Sequence, residues 1–155
     1  MTYCYLALGS NLKTPARQLR QALLSLRTLP RTMLLKCSPI YFSKPDKDRL
    51  QPSYCNAVIK IDTTLAPNEL LRYCRLIEQQ HQRTRKNIGD ARTLDIDVLL
   101  YGNKTIISKS LIIPHPRFLE RDFVLVPLLK IAPDVTLPNG KKVAEQKRVC
   151  KRYII

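Results

Sequence analysis

The chain has 155 residues, of which 45% are hydrophobic and 25% charged, an ordinary globular composition with enough length for one packed core, so a single domain over residues 1–155 is expected. Its 27 Lys and Arg against 12 Asp and Glu leave a net charge of +15, which suits either nucleic acid or a polyanionic small substrate. The longest apolar runs fall far short of a bilayer span, the first ten residues lack a basic n-region, and the five cysteines are scattered without a Cys-x-x-Cys pair; a reduced, cytoplasmic protein without a membrane helix is the expectation.

Residues 2–8 alternate as a strand and run into Gly9-Ser10-Asn11-Leu12, read as a tight turn at which backbone can approach a ligand. Thr14 as N-cap and Pro15 at the first helical position then open a helix that ends before Pro30. Its inward stripe is Leu19, Ala22, Leu23 and Leu26, and its outer face carries Arg17, Arg20 and Arg27. Residues 32–43 are predicted as a second strand, with Pro39 reducing part of it to an edge or bulge, and residues 44–52 as a polar loop.

Residues 53–63 alternate cleanly as a third strand, with Cys55, Ala57, Ile59 and Ile61 on one face and Tyr54, Asn56, Val58 and Lys60 on the other. Tyr54 and Asn56 therefore sit side by side. An aromatic plate beside an amide can seat a flat heterocycle, and it is equally ordinary strand surface. Pro67 opens a second helix over residues 68–84, with Leu70, Leu71, Cys74 and Ile77 inward and Glu78 and His81 near that stripe.

A basic loop then leads into residues 93–101, a Thr, Leu, Ile and Val run that embeds two carboxylates. Alternation points Asp95 and Asp97 the same way, with Thr93 and Leu99, and sends Leu94, Ile96, Val98 and Leu100 to the other side. Two carboxylates roughly 6 to 7 Å apart on one strand face can share a hard cation such as Mg²⁺, or they can simply be the solvated face of an antiparallel sheet. Arg83, Arg85, Lys86 and Arg92 precede them, and guanidinium forks beside such a mount suit a polyphosphate.

Gly102-Asn103 turns into a short strand over residues 104–108. Ile113-Pro114-His115-Pro116 is a rigid segment whose histidine, one of two in the chain, has no cysteine near it and reads as a loop hydrogen-bonder or a nucleotide contact rather than a zinc ligand. Residues 123–131 form the last apolar helix, and Pro138-Asn139-Gly140-Lys141 is a hairpin-like turn into a basic terminal segment. The order strand, helix, strand, strand, helix, strand is the split β-α-β arrangement of an α+β, ferredoxin-like fold, an antiparallel sheet with helices packed on one face. RNA-recognition modules share that architecture. With three Phe, no Trp and no aromatic-rich stacking motif, nucleic acid is not the expected partner.

Taken together, Gly9-Ser10-Asn11-Leu12, Tyr54-x-Asn56, Arg83-x-Arg85, the block from Arg92-Thr93-Leu94-Asp95-Ile96-Asp97 to Gly102, Pro114-His115-Pro116 and Arg121-x-Phe123 make residues 2–135 similar to the 6-hydroxymethyl-7,8-dihydropterin pyrophosphokinases of folate biosynthesis. The resemblance implies transfer of the β,γ-diphosphate of ATP, the co-substrate, to the pterin hydroxymethyl oxygen with release of AMP. It implies two Mg²⁺ ions on Asp95 and Asp97. Tyr54 and Phe123 would sandwich the pterin while Asn56 and the segment Ser43, Lys44 and Pro45 read its edge. Glu78, Arg85, Arg92, Val98, His115 and Arg121 would line the ATP site, and Arg83 with Arg92 would be the catalytic pair that steadies charge on the phosphates in transfer. No glycine-rich phosphate loop is present, so side chains and metals would cradle the phosphates. The implied partners are these small molecules, taken by a monomer.

Overall fold

The first strand, β1 (Thr2–Ser10), is the spine of the sheet, because its alternate residues Cys4, Leu6 and Leu8 are fully buried and both its edges are paired. Gly9 and Ser10 continue this strand instead of turning, which corrects the expectation of a tight turn there. The computed structural model describes residues 1–11, 14–43, 54–81 and 94–146. Within them follow α1 (Pro15–Arg27), β2 (Thr32–Cys37), β3 (Tyr41–Ser43), β4 (Tyr54–Thr63), α2 (Pro67–His81), β5 (Leu94–Tyr101), β6 (Ile106–Ile107), β7 (Ile112–Ile113), α3 (Asp122–Ile131) and the single turn α4 (Val143–Gln146). The main sheet runs β2-β4-β1-β5, all antiparallel, with β3 also paired to β4. This is the predicted ferredoxin-like α+β arrangement.

The helices form where the periodicity places them. In α1 the buried residues are Leu19, Ala22 and Leu26, with Leu23 half-buried, and in α2 they are Leu70, Cys74 and Ile77. Both lie on one face of the sheet, over Cys4, Leu6, Leu8, Ile59, Ile61, Leu94 and Ile96. Thr14 precedes α1 in a left-handed conformation, φ 53°, and gives the helix its carbonyl, bonded by the Gln18 amide at 3.1 Å, rather than the expected side-chain cap. The predicted second strand is split: Ser38 leaves the ladder, its hydroxyl accepting from the Val58 amide at 2.9 Å, and the chain resumes pairing as β3.

Helices on a single face are not what the chain builds. The opposite face of the sheet is covered by α3, whose Val124, Leu125 and Leu128 pack with Ala7, Val58, Leu99 and Leu100. The sheet is thus a middle layer, and Val58 at 0% exposure is as buried as the residues facing the other helices. The same cluster includes Val143 of α4, a turn of helix beyond the one expected to be last.

One irregularity corrects the predicted facing of Leu100. The β1–β5 register shifts between Tyr5 and Leu6, which pair with Leu100 and Val98 respectively, so Leu99 is an extra residue in β5. A bulge of this kind breaks the alternation. Leu99 and Leu100 consequently both pack under α3, while Tyr101 returns to the side of α1 and α2. Asp95 and Asp97 precede the bulge and keep the predicted common face.

Candidate active site

Three adjacent strands bring the candidate residues together by register. Gly9 pairs with Asn56 on one side and Asp95 on the other, and Ala7 pairs with Val58 and Asp97, so two rows of side chains cross the α3 face of the sheet at this end. Asn56 is buried at 4% exposure, whereas Asp95 and Asp97 are half-buried. The Tyr54 hydroxyl donates to Asp95 Oδ2 at 3.3 Å. A Cβ on Gly9 would lie 2.9 Å from Asn56 Oδ1 and 3.0 Å from the Tyr54 ring, so only glycine lets the amide and the ring close over this row.

A cavity of about 260 Å³ opens on this face between the strands and the start of α3, lined by Gly9, Tyr54, Asn56, Asp95, Asp97, Arg121 and Phe123 among others. The Arg121 guanidinium stands 5.8 Å from the centre of the Phe123 ring, within cation-π reach. A second cavity, of about 210 Å³, lies around the outer edge of β5, where Asp97 and Val98 meet Leu71 and Arg75 of α2, the segment Lys109 to Ile112, and His115. Asp97 belongs to the walls of both. The two cavities therefore share Asp97 as a wall, with Asp95 beside it in the first, an arrangement that would let a group pass from a molecule in one to a molecule in the other.

The edge of β5 is closed by main-chain and side-chain bonds. The His115 amide donates to the Leu99 carbonyl at 3.0 Å, which ties the Pro-His-Pro segment to the strand. Burial pushes the His115 imidazole below its ordinary pKa, with Arg121 in the same direction and Asp97 opposing, so the neutral ring is favoured; its Nδ1 accepts from the Arg117 amide at 3.3 Å. Glu78 accepts from Arg75 Nη1 at 2.7 and 2.8 Å and from the Ile96 amide at 2.8 Å.

Of the predicted residues, Tyr54, Asn56, Phe123, Asp95 and Asp97 share one cavity, and Val98 and His115 line the other. Arg121, expected at the nucleotide, lines the Tyr54–Phe123 cavity, and its charge is felt by His115 in the wall of the other. Ser43 ends β3, paired with Tyr54; Lys44, Pro45, Arg83, Arg85 and Arg92 lie outside the described residues. Arg75 and Lys109 were not picked out from sequence. An opposite charge three residues before Glu78 on a helix is a legible signal for Arg75; Lys109 has no such signal.

Among the described residues no group of three or more His, Cys, Asp and Glu side chains is gathered as a metal cage. The donor set is two carboxylates facing a cavity. That fits a hard ion such as Mg²⁺, which keeps waters and takes its other oxygens from a phosphorylated substrate, and it does not fit zinc. No described helix is long and apolar enough to cross a membrane.

Residues 5–133 match the family described as 7,8-dihydro-6-hydroxymethylpterin-pyrophosphokinase (HPPK). The chain is 46% identical to 2-amino-4-hydroxy-6-hydroxymethyldihydropteridine pyrophosphokinase of Haemophilus influenzae, over 94% of this chain and 91% of that one. It is 41% identical to the protein of the same name from Pseudomonas aeruginosa, over 94% and 90% of the two chains. Among solved structures, wild-type HPPK-DHPS of Plasmodium falciparum superposes with a TM-score of 0.72 at 13% identity, over 94% of this chain and 44% of that longer one, a likeness of fold.

Proposed function

This chain belongs to the 7,8-dihydro-6-hydroxymethylpterin-pyrophosphokinase family, and on that premise we propose how its two joined cavities divide the work. The activity is that of a pyrophosphokinase of folate biosynthesis: the diphosphate of ATP passes to the hydroxymethyl oxygen of the dihydropterin, and AMP leaves. In our reading the pterin enters the cavity between Tyr54 and Phe123, with Asn56 and the chain at Ser43, Lys44 and Pro45 reading its edge. Two aromatic faces and one buried amide match a flat ring whose rim carries both donors and acceptors. ATP takes the cavity on the outer side of β5, against Val98 and His115, with Arg85 and Arg92 on its phosphates.

The observation that carries this reading is the position of Asp97 on both walls, with Asp95 beside it on the pterin side. Asp95 and Asp97 would hold Mg²⁺, two ions in our proposal, which when bound neutralise phosphate oxygens and polarise the phosphorus under attack. The residues of the chain orient and exclude water. The cavity walls hold the hydroxymethyl oxygen in line with the β-phosphorus; a new O–P bond forms there as the bond from the β-phosphorus to the bridging oxygen of AMP breaks, AMP leaving with that electron pair and the hydroxyl proton being lost to solvent. Arg83 and Arg92 offset the charge that spreads over the transferred oxygens, while Arg121, in the wall of the Tyr54–Phe123 cavity, adds a fixed cation close to the same point. We assign the whole of residues 1–155 to one pyrophosphokinase domain, working as a monomer in the cytoplasm, where ATP is supplied.

The test is AMP release from ATP and Mg²⁺ with and without the hydroxymethyl pterin. Release is expected only with the pterin present, and Asp95→Ala and Asp97→Ala are expected to abolish it. Wild-type turnover in both variants would overturn the assignment of the carboxylates.

A further inference from the structure

The carboxylate pair sits on β5, which ends the sheet among the described residues, so at Ile96 no further described strand holds its outer side. In an antiparallel ladder the main-chain groups of successive residues point alternately toward the partner strand and away from it. At Ile96, the residue between Asp95 and Asp97, the amide and the carbonyl are both taken by side chains of α2. The amide donates to Glu78 Oε2 at 2.8 Å, and the carbonyl accepts from Arg75 Nη1 at 3.1 Å. The same Nη1 reaches both oxygens of Glu78, which closes a ring of contacts. A carboxylate and a guanidinium, three residues apart on a helix, thus offer the strand one acceptor and one donor, as an adjoining strand would.

We infer that Arg75 and Glu78 are positioning residues that stand in for a missing strand at Ile96 and so set the direction in which Asp95 and Asp97 present their carboxylates. The φ and ψ of Ile96 determine the angle between the two side chains on either side of it. With its outer edge unpaired, that peptide would be free to twist toward water. The clamp is anchored, because Cys74 and Ile77, next to its two members, are in the buried stripe of α2, and the Glu78 side chain is only 13% exposed. Arg75 at 46% exposure also borders the cavity shared with Asp97, and its charge is kept by Glu78 and Asp97 against the opposing effect of burial. The Glu78 carboxylate is engaged on both oxygens, Oε1 by Arg75 and Oε2 by Arg75 and the Ile96 amide.

The consequence for magnesium use rests on the function proposed above; the consequence for the strand does not. In the metal-free, nucleotide-free protein, amide hydrogen exchange at Ile96 is expected to speed up at least tenfold in Glu78→Ala, while core amides such as Leu6 and Ile59 keep their wild-type protection. Arg75→Ala is expected to raise the magnesium concentration for half-maximal velocity at least fivefold, with KM for the pterin within twofold of wild type. Arg75→Lys, which keeps the charge pair but lacks the rigid fork, should recover part of that loss. Wild-type exchange at Ile96 in Glu78→Ala would overturn the clamp, and an unchanged magnesium requirement in Arg75→Ala would overturn its role in presenting the aspartates. A wild-type protein that makes no AMP would instead end the functional reading and leave the exchange result to judge the clamp alone.

Discussion

Gly9 faces Asn56 across the β1–β4 ladder, and the space that a side chain on Gly9 would fill is held by Asn56 Oδ1, 2.9 Å from an ideal Cβ. The Tyr54 ring stands at 3.0 Å from the same point. Gly9→Ala is therefore expected to push both groups into the cavity. Overpacking of this kind costs about 1 to 3 kcal/mol. The expected outcome is a lowered melting temperature and a pterin affinity weakened roughly tenfold, about 1.4 kcal/mol, while ATP binding in the other cavity changes little. Calorimetric titration of each substrate separately checks the asymmetry, and equal losses for both would sink it.

Asp95 and Asp97 are half-buried and face a cavity, so replacing either with Asn keeps the volume and removes the charge. The fold should persist, with melting temperatures near that of the wild type. Turnover should fall by about 10²-fold or more, the usual size of a lost electrostatic element at a reacting centre. Chelation with EDTA should stop the reaction and added Mg²⁺ restore it. A calorimetric melt beside the kinetics separates loss of activity from loss of structure.

The two aromatic residues are expected to behave differently when trimmed. Tyr54→Phe removes only the hydroxyl, whose bond to Asp95 is long at 3.3 Å, and should alter pterin affinity by less than about threefold. Phe123→Ala removes a face of the proposed ring stack and the partner of the Arg121 guanidinium. An aromatic contact is worth about 0.5 to 1.5 kcal/mol beyond burial, so a loss of at least tenfold in pterin affinity is expected once the buried area is added. Fluorescence titration with the oxidised pterin gives both numbers.

Burial lowers the pKa of both histidines in the folded chain below the ordinary value of 6.5. The unfolded chain then binds more protons than the folded one between that value and the depressed folded values. Stability should be full above about pH 6.5 and should fall as pH drops through this window. Protonation also removes the Nδ1 lone pair of His115 that accepts from the Arg117 amide. Melting temperatures between pH 8 and pH 5 test the sign, and the double variant His81→Gln, His115→Gln should flatten the slope. A wild-type protein more stable at pH 5.5 than at pH 7.5 would contradict it.

Burial also pushes the thiols of Cys4 and Cys74 up to about 12, and both side chains are fully buried, whereas Cys37 is exposed. A thiol reacts as its thiolate. In a Cys150→Ser background, Cys37 should be alkylated in the native protein at pH 8 while Cys4 and Cys74 react only after denaturation. Peptide mapping of the alkylated protein decides it.

Much of this protein is written in short-range periodicity. The spacing of Leu19, Ala22 and Leu26, the alternation of Tyr54, Asn56 and Val58, and the shared facing of Asp95 and Asp97 follow from helix and strand geometry over a few residues, and each is found in the structure. Matters that depend on the partner across a ladder or a layer were decided only by the tertiary structure. The bulge at Leu99 turns Leu100 to the α3 face because β1 and β5 pair with one residue to spare, and neither strand's own pattern carries that count. Gly9 continues a strand because Asn56 and Asp95 flank it there, although glycine followed by serine locally favours a turn. The Arg75–Glu78 contact with Ile96 and the meeting of two cavities at Asp97 join residues about twenty positions or more apart, at distances set by packing of α2 and α3 against opposite faces of the sheet. Local sequence determines the alternation of side chains within a helix or strand; only the closed fold determines where that alternation breaks and what each side chain meets.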